Sequence, residues 1–284
     1  MMYCYKYFCY IIETNFPCIF LKKIQTTYDG SRKKIKILLT KNDAGIIRDK
    51  EDNFKYKQNE TEFLGAYNDL SFRIVWSCMT IIASANDIDS AFLTLLNVPV
   101  ALLIAFDGNL VLHCSTVLKG NKLYSFFGPK GIGKTTKSMS MIQNDENAVL
   151  YSDDSLCISF DDNMAYSNYS VLKITDYTKK VAFNEKNNQL PLYFKNEKTI
   201  YYLDYNGSAI PITNVNYYFL FRNENACDLM YDDISIFTYL LSKNIIGINY
   251  MSQSLLEIVE SRVLMLAEKA ETKINVLYIA NAQK

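Results

Sequence analysis

A chain of 284 residues has room for one large domain or two small ones, and at 49% hydrophobic residues it can bury a core, which excludes wholesale disorder. Its 30 Lys and Arg balance 30 Asp and Glu, so charge gives no reason to expect a nucleic-acid partner. Seven cysteines without a C-x-x-C pair, beside one histidine, exclude the usual Cys/His zinc sites and suit thiols of a reducing cytosol better than a disulfide framework.

Residues 1–20 are apolar and aromatic, but Lys6 and Glu13 interrupt them and no small-residue cleavage site follows, unlike a signal peptide. Strands are expected at residues 3–12 and 34–39, with turns at Asp29-Gly30 and at residues 42–45. Residues 88–96 and 98–106 read as two helices broken around Asn97-Val98-Pro99. The uncharged run at residues 90–106 is too short to cross a bilayer comfortably, so a soluble, cytoplasmic protein with no membrane partner is expected. After the turn Asp107-Gly108-Asn109, residues 110–118 read as one buried strand, Gly120-Asn121 as a hairpin turn and residues 122–127 as its partner. A helix is expected at residues 134–143 and a strand at 148–151 that ends in Ser152-Asp153-Asp154. A hairpin around Asp161-Asp162-Asn163, a strand at 217–221, helices at 234–241 and 252–270 and a strand at 273–280 complete the chain. On the last helix Leu255, Val259, Val263, Leu266 and Ala267 share one face, which marks it as a core helix. The organisation expected is a β-rich region over residues 1–72 packed on a core over 73–284.

Chemistry concentrates between these elements. Gly128-Pro129-Lys130-Gly131-Ile132-Gly133-Lys134-Thr135 is a complete Walker A sequence between an apolar strand and a helix. Glycine lets the backbone turn its N–H groups onto phosphate oxygens, Lys134 brings a cation to the β- and γ-phosphates, and Thr135 offers a hydroxyl to Mg²⁺. The helix N-terminus adds its positive dipole end. Gly128, Lys130, Gly131, Ile132, Gly133, Lys134, Thr135 and Thr136 form the expected nucleotide-binding set.

An apolar strand ending in Asp153-Asp154 looks like a Walker B element, where one carboxylate serves the metal and the other accepts a proton. A plain turn after a strand is the alternative. His113, the single histidine, lies on the strand before the hairpin that delivers the loop, close to the γ-phosphate position if it is not simply a core residue.

In this order and spacing, His113, residues 128–135 and Asp153-Asp154 resemble the HPr kinase/phosphorylase superfamily. The text from "NVPVALLIAFDGNLVLHCS" through "FFGPKGIGKTT" to "VLYSDDSLCISF" is most similar to the HPr-kinase-like peptide serine kinases of the lasso-peptide type. The resemblance is firm over residues 98–160; residues 3–17 and 190–203 are collinear with the family's N-terminal strand and downstream hairpin. It implies an α/β fold with a core like that of phosphoenolpyruvate carboxykinase and HPr kinase, and ATP-dependent phosphorylation of a Ser or Thr hydroxyl on a peptide or protein. It further implies Asp153 as general base, with His113 and Lys134 beside it in catalysis, and Mg²⁺ held by Thr135 and Asp154. The family's later signature, a glutamate and an arginine in a glycine-rich context, has no counterpart, which leaves one metal ligand unassigned. Lys173, Lys179, Lys180 and Arg222 are candidates for the cation that steadies the transferred group, with solvated surface as their alternative. A small-molecule kinase and an NTPase switch are the competing functions, and assembly into a homo-oligomer is left open.

Overall fold

The computed structural model describes residues 1–28, 30–40, 55–67, 70–168, 171–175, 193–195, 198–202, 208–222, 233–269 and 275–279. The turns expected at Asp29 and at residues 42–45, and Lys179 and Lys180, lie outside them, as do the side chains of Lys173 and Arg222. The fold is mixed α/β, and the chain forms two compact units. One comprises Met1–Asn109 with Ile246–Ile258, the other Leu110–Ile245 with Val259–Lys284.

The first unit is built on an eight-stranded mixed sheet. Its strands are β1 (Tyr3–Tyr7), β2 (Tyr10–Thr14), β3 (Gln25–Thr26), β4 (Lys34–Leu39), β5 (Lys55–Gln58), β6 (Glu62–Tyr67), β7 (Leu70–Val75) and β8 (Thr80–Ser84), in the order β3-β1-β2-β4-β8-β7-β6-β5. The pairs β2–β4 and β4–β8 are parallel and the rest antiparallel. Alternation explains β4, whose Ile35, Ile37 and Leu39 point into the core while Lys36 faces out. Strand β7 runs through residue 72, and its Phe72 ring lies over Gly65 of β6, its register partner.

Two helices, α1 (Ile88–Leu95) and α2 (Val98–Phe106), complete the apolar core of this unit. Asp87 caps α1 by accepting a hydrogen bond from the Ser90 N–H at 3.1 Å, and Pro99 occupies the first turn of α2, where its missing N–H costs nothing. Tyr7 donates to the Leu96 carbonyl at 2.8 Å, and Trp76 stacks on Phe106 at 5.3 Å. The run Ile88–Phe106 is long and apolar enough to cross a membrane by length and composition, with 56% of it buried inside the protein. The following turn is fixed by Asp107, which accepts from Tyr10 at 2.7 Å and from Lys33 at 2.8 Å.

In the second unit, β9 (Leu110–Leu112), β10 (Cys114–Lys119), β11 (Lys122–Phe127), α3 (Lys134–Gln143) and β12 (Ala148–Ser152) follow in sequence. The single strand expected at 110–118 is divided: the chain breaks at His113, and β9 and β10 join different sheets. Strands β13 (Leu156–Ser159), β14 (Met164–Ser167) and β18 (Ile210–Pro211) form an antiparallel sheet with β9 in the order β18-β14-β13-β9. Strands β19 (Val215–Arg222) and β20 (Asn275–Ile279) join the other, ordered β12-β10-β11-β19-β20, with the β11–β19–β20 pairs parallel. A third, small sheet contains β15 (Val171–Thr175), β16 (Tyr193–Lys195) and β17 (Lys198–Tyr202).

The five-stranded sheet is a middle layer. Strand alternation sends Phe126, Tyr218 and Leu220 to the α3 side, where they pack with Val117, Ile132, Met141 and Ile142. Tyr217 and Phe219 point the other way, onto the edge of Phe237, at centroid distances of 5.0 and 6.1 Å. Phe237 belongs to α4 (Asp233–Ser242). The last helix, α5 (Gln253–Lys269), buries Leu255, Val259, Val263, Leu266 and Ala267, the face expected from their spacing.

Candidate functional site

The 128–135 loop leaves the sheet at the end of β11 and closes on the first turn of α3. Gly128, Gly131 and Gly133 have φ of 142°, 82° and 104°, backbone conformations that a side chain rarely permits. At Gly128 space forbids one as well, since an added Cβ would lie 2.9 Å from the Leu220 carbonyl oxygen. Three left-handed turns thus fold the loop tightly onto the N-terminus of α3, where the helix dipole favours an anion.

Lys134 is only 8% exposed, and its ammonium turns back into the loop, donating to the carbonyls of Gly128 at 2.8 Å and Pro129 at 3.3 Å. Thr135 donates its hydroxyl to Oδ1 of Asp153 at 2.9 Å. This bond joins the glycine loop to the strand-end carboxylates, 18 residues apart. Ile132 plays a different part from its neighbours: its side chain is 7% exposed in the core under α3, and its N–H turns onto the Pro129 carbonyl at 3.3 Å. Lys130 is exposed, and Thr136 is half-buried on the first turn of α3.

Strand β12 ends at Ser152, and the chain bends immediately, with Asp154 at φ 65°. Two neighbouring residues of a straight strand face opposite ways, and here the regular strand has ended before the pair begins. Asp153 is 2% exposed and Asp154 half-buried. Asn168, just beyond β14, holds the bend: its amide donates to the Asp153 carbonyl at 3.3 Å and Ser155 Oγ at 2.5 Å, and its oxygen accepts from Ser152 at 2.9 Å. Asn168 was not singled out from the sequence, because these contacts depend on β13 and β14 folding back on the end of β12.

Cys114 reports the electrostatics at this point. Burial pushes its thiol up to about 12, the Thr116 hydroxyl and Lys134 oppose that, and Asp153 and Asp154 reinforce it. Lys134 and both carboxylates therefore act on one buried atom. Farther out, Lys119 pairs with Asp145 at 2.5 Å, so this lysine is engaged by a surface carboxylate. Lys122 and Lys137 are exposed.

His113 occupies the break between β9 and β10 and is half-buried. Its backbone N–H donates to the Asn244 carbonyl at 2.6 Å. The Asn244 side chain in turn accepts from the Gly128 N–H at 3.1 Å and donates to the Leu240 carbonyl at 2.8 Å. The structure thus brings together Gly128, Lys134, Thr135, Asp153 and, through its backbone, His113.

The donors present fit the groups that the sequence implies. A glycine-rich loop with a lysine suits a phosphate chain, and the Thr135 hydroxyl bonded to the Asp153 carboxylate supplies oxygens of the kind Mg²⁺ prefers. Among the described residues no three His, Cys, Asp or Glu side chains cluster as a ready-made metal cage. Neither protein-family models nor curated protein sequences match the chain.

Proposed function

We propose that this chain is an ATP-dependent kinase with a P-loop core like that of phosphoenolpyruvate carboxykinase and HPr kinase, acting in the cytoplasm on a Ser or Thr hydroxyl of a peptide or protein. The observation that carries the reading is the Thr135–Asp153 hydrogen bond, which ties the glycine loop to the aspartate pair. A glycine-rich turn with no ligand has no need of such a link.

In the proposed reaction, the substrate hydroxyl oxygen attacks the γ-phosphorus in line. The bond from that phosphorus to the bridging oxygen of ADP breaks as the new P–O bond forms, and the hydroxyl proton passes to a carboxylate. Backbone amides of the 128–135 loop and the Lys134 ammonium hold the phosphate chain. Thr135 and an aspartate offer oxygens to Mg²⁺, which when bound would offset charge on the β- and γ-oxygens. The resemblance assigns proton acceptance to Asp153 and the metal to Asp154. The Thr135–Asp153 bond brings the first carboxylate to the metal-binding hydroxyl, so the pair is proposed to do both tasks.

The test is incubation of the purified protein with Mg-ATP and short peptides bearing Ser or Thr, read by mass spectrometry. A gain of one phosphoryl group on the peptide, with matching ADP, is the expected result. ATP cleavage that delivers phosphate only to water would replace this reading with the NTPase switch. Transfer confined to small alcohols would replace it with the small-molecule kinase.

A further inference from the structure

We propose that Asn244 is a positioning residue that sets the start of the phosphate-binding loop; this rests on the kinase reading above. The argument begins with the β10–β11 ladder. Its last pair is Cys114 opposite Phe127. One step further the strands part: His113 turns toward β9, and Gly128 turns into the loop with φ 142°. The ladder can no longer satisfy the N–H groups of these two residues, and a buried amide left without a partner is costly.

Asn244 takes both. Its backbone carbonyl accepts from the His113 N–H and its side-chain oxygen from the Gly128 N–H. The second half of the amide determines which atom faces the loop. Because the Leu240 carbonyl requires a donor and the Gly128 N–H requires an acceptor, only one orientation of the side chain serves both. Asn244 is 8% exposed and lies just past the end of α4, with its N–H on the Leu241 carbonyl at 2.9 Å. An antiparallel bridge between Leu112 and Ile245 fixes the same segment against β9.

The consequence falls on the Lys134 cradle. The Gly128 carbonyl receives Lys134, so a side chain that fixes the Gly128 amide also limits where that carbonyl and the ammonium can sit. Asn244 touches no reacting atom in this account; it acts through Gly128.

The experiment compares Asn244→Leu, which removes both side-chain bonds, with Leu240→Ala, which weakens α4 from a buried position without touching Gly128. Mg-ATP affinity is read by calorimetry, amide exchange at Gly128 by NMR, and unfolding by urea. We expect Asn244→Leu to bind Mg-ATP about tenfold or more weakly and to exchange its Gly128 amide faster, the scale of one lost hydrogen bond to a half-buried amide. Leu240→Ala, with a comparable loss of stability, should keep wild-type affinity. Asn244→Asp retains the acceptor for Gly128 but loses the donor to the Leu240 carbonyl, so exchange at Gly128 should fall between wild type and the leucine variant. Should the leucine variant not fold, Asn244→Ser takes its place with the same readings. Equal affinity in wild type and the Asn244 variant, or an equal loss in Leu240→Ala, overturns the positioning role while leaving the kinase reading intact. A wild-type protein that binds no Mg-ATP overturns both.

Discussion

On the proposed kinase reading two duties meet at Lys134, and they separate under substitution. Its ammonium bonds two carbonyls of its own loop, so it stiffens the cradle as well as offering charge. Lys134→Ala is expected to cost about 1 kcal/mol in urea denaturation, the scale of a net hydrogen bond, and to abolish phosphoryl transfer. Asp153→Asn keeps an oxygen for the Thr135 hydroxyl but cannot take a proton. It should fold and bind ATP, while transfer to peptide falls by roughly 10²–10⁴-fold. Asp154→Asn should instead raise the Mg-ATP concentration needed for half-maximal rate. If single-turnover rates and affinities show the two effects exchanged, the carboxylates have the opposite duties. Cys114 carries a prediction about stability. Its thiol is pushed up to about 12 when folded, against roughly 8.5 in an unfolded chain. Between those values the native state keeps a proton that the unfolded state releases, so this thiol's contribution to stability is constant below about pH 8.5 and declines above it. Urea midpoints from pH 7 to 10 should fall, and Cys114→Ala should flatten part of that fall; Cys18, also pushed up to about 12 by burial, accounts for more of it.

Among elements, β6 and β7 offer the sharpest test of packing. A Cβ at Gly65 would lie 2.4 Å from the Phe72 ring, itself fully buried, so Gly65→Ala should lower stability by about 1–3 kcal/mol without changing nucleotide binding. A calorimetric melt beside an ATP titration checks both halves. The strand beside them in the sheet, β8, shows what sequence reading could not reach. Strand β8 is buried on both faces, and its run Ile81-Ile82-Ala83 carries no alternating pattern to mark it. Where one face stays wet, as in β4, or where a stripe repeats, as in α5, the element is legible with its bounds. The break at His113 was invisible for another reason. Residues 110–118 contain no glycine or proline, and the chain changes sheets there against Asn244, a partner distant in sequence. The candidate site divides the same way. The 128–135 loop is contiguous and could be read directly, whereas Asn168 and Asn244 acquire their parts only when distant strands and a helix close on the loop and the bend.

On the scale of the whole molecule, the two units are threaded through one another along the chain. The first unit is complete only with Ile246–Ile258, a segment made after the second unit's 110–245 stretch. That segment is packed: an added Cβ at Gly247 would lie 3.2 Å from Leu102 of α2, and the Tyr250 ring meets the edge of Tyr56 at 5.4 Å. A fragment of residues 1–109 should therefore bind a hydrophobic dye and lack a cooperative melt, and a peptide of residues 246–258 added in trans should reduce the dye signal. A cooperative melt of the fragment alone would show the segment to be dispensable. The ribosome must synthesise the same fragment first. At about 5–20 residues per second, on the order of ten seconds pass before the completing segment emerges. For that interval the nascent chain exposes the side of α2 that Gly247 later covers. Yield in the cell should then depend on elongation rate and chaperone supply as well as on final stability. Synonymous codon changes within 110–245 become a way to alter how much protein folds without altering a single side chain.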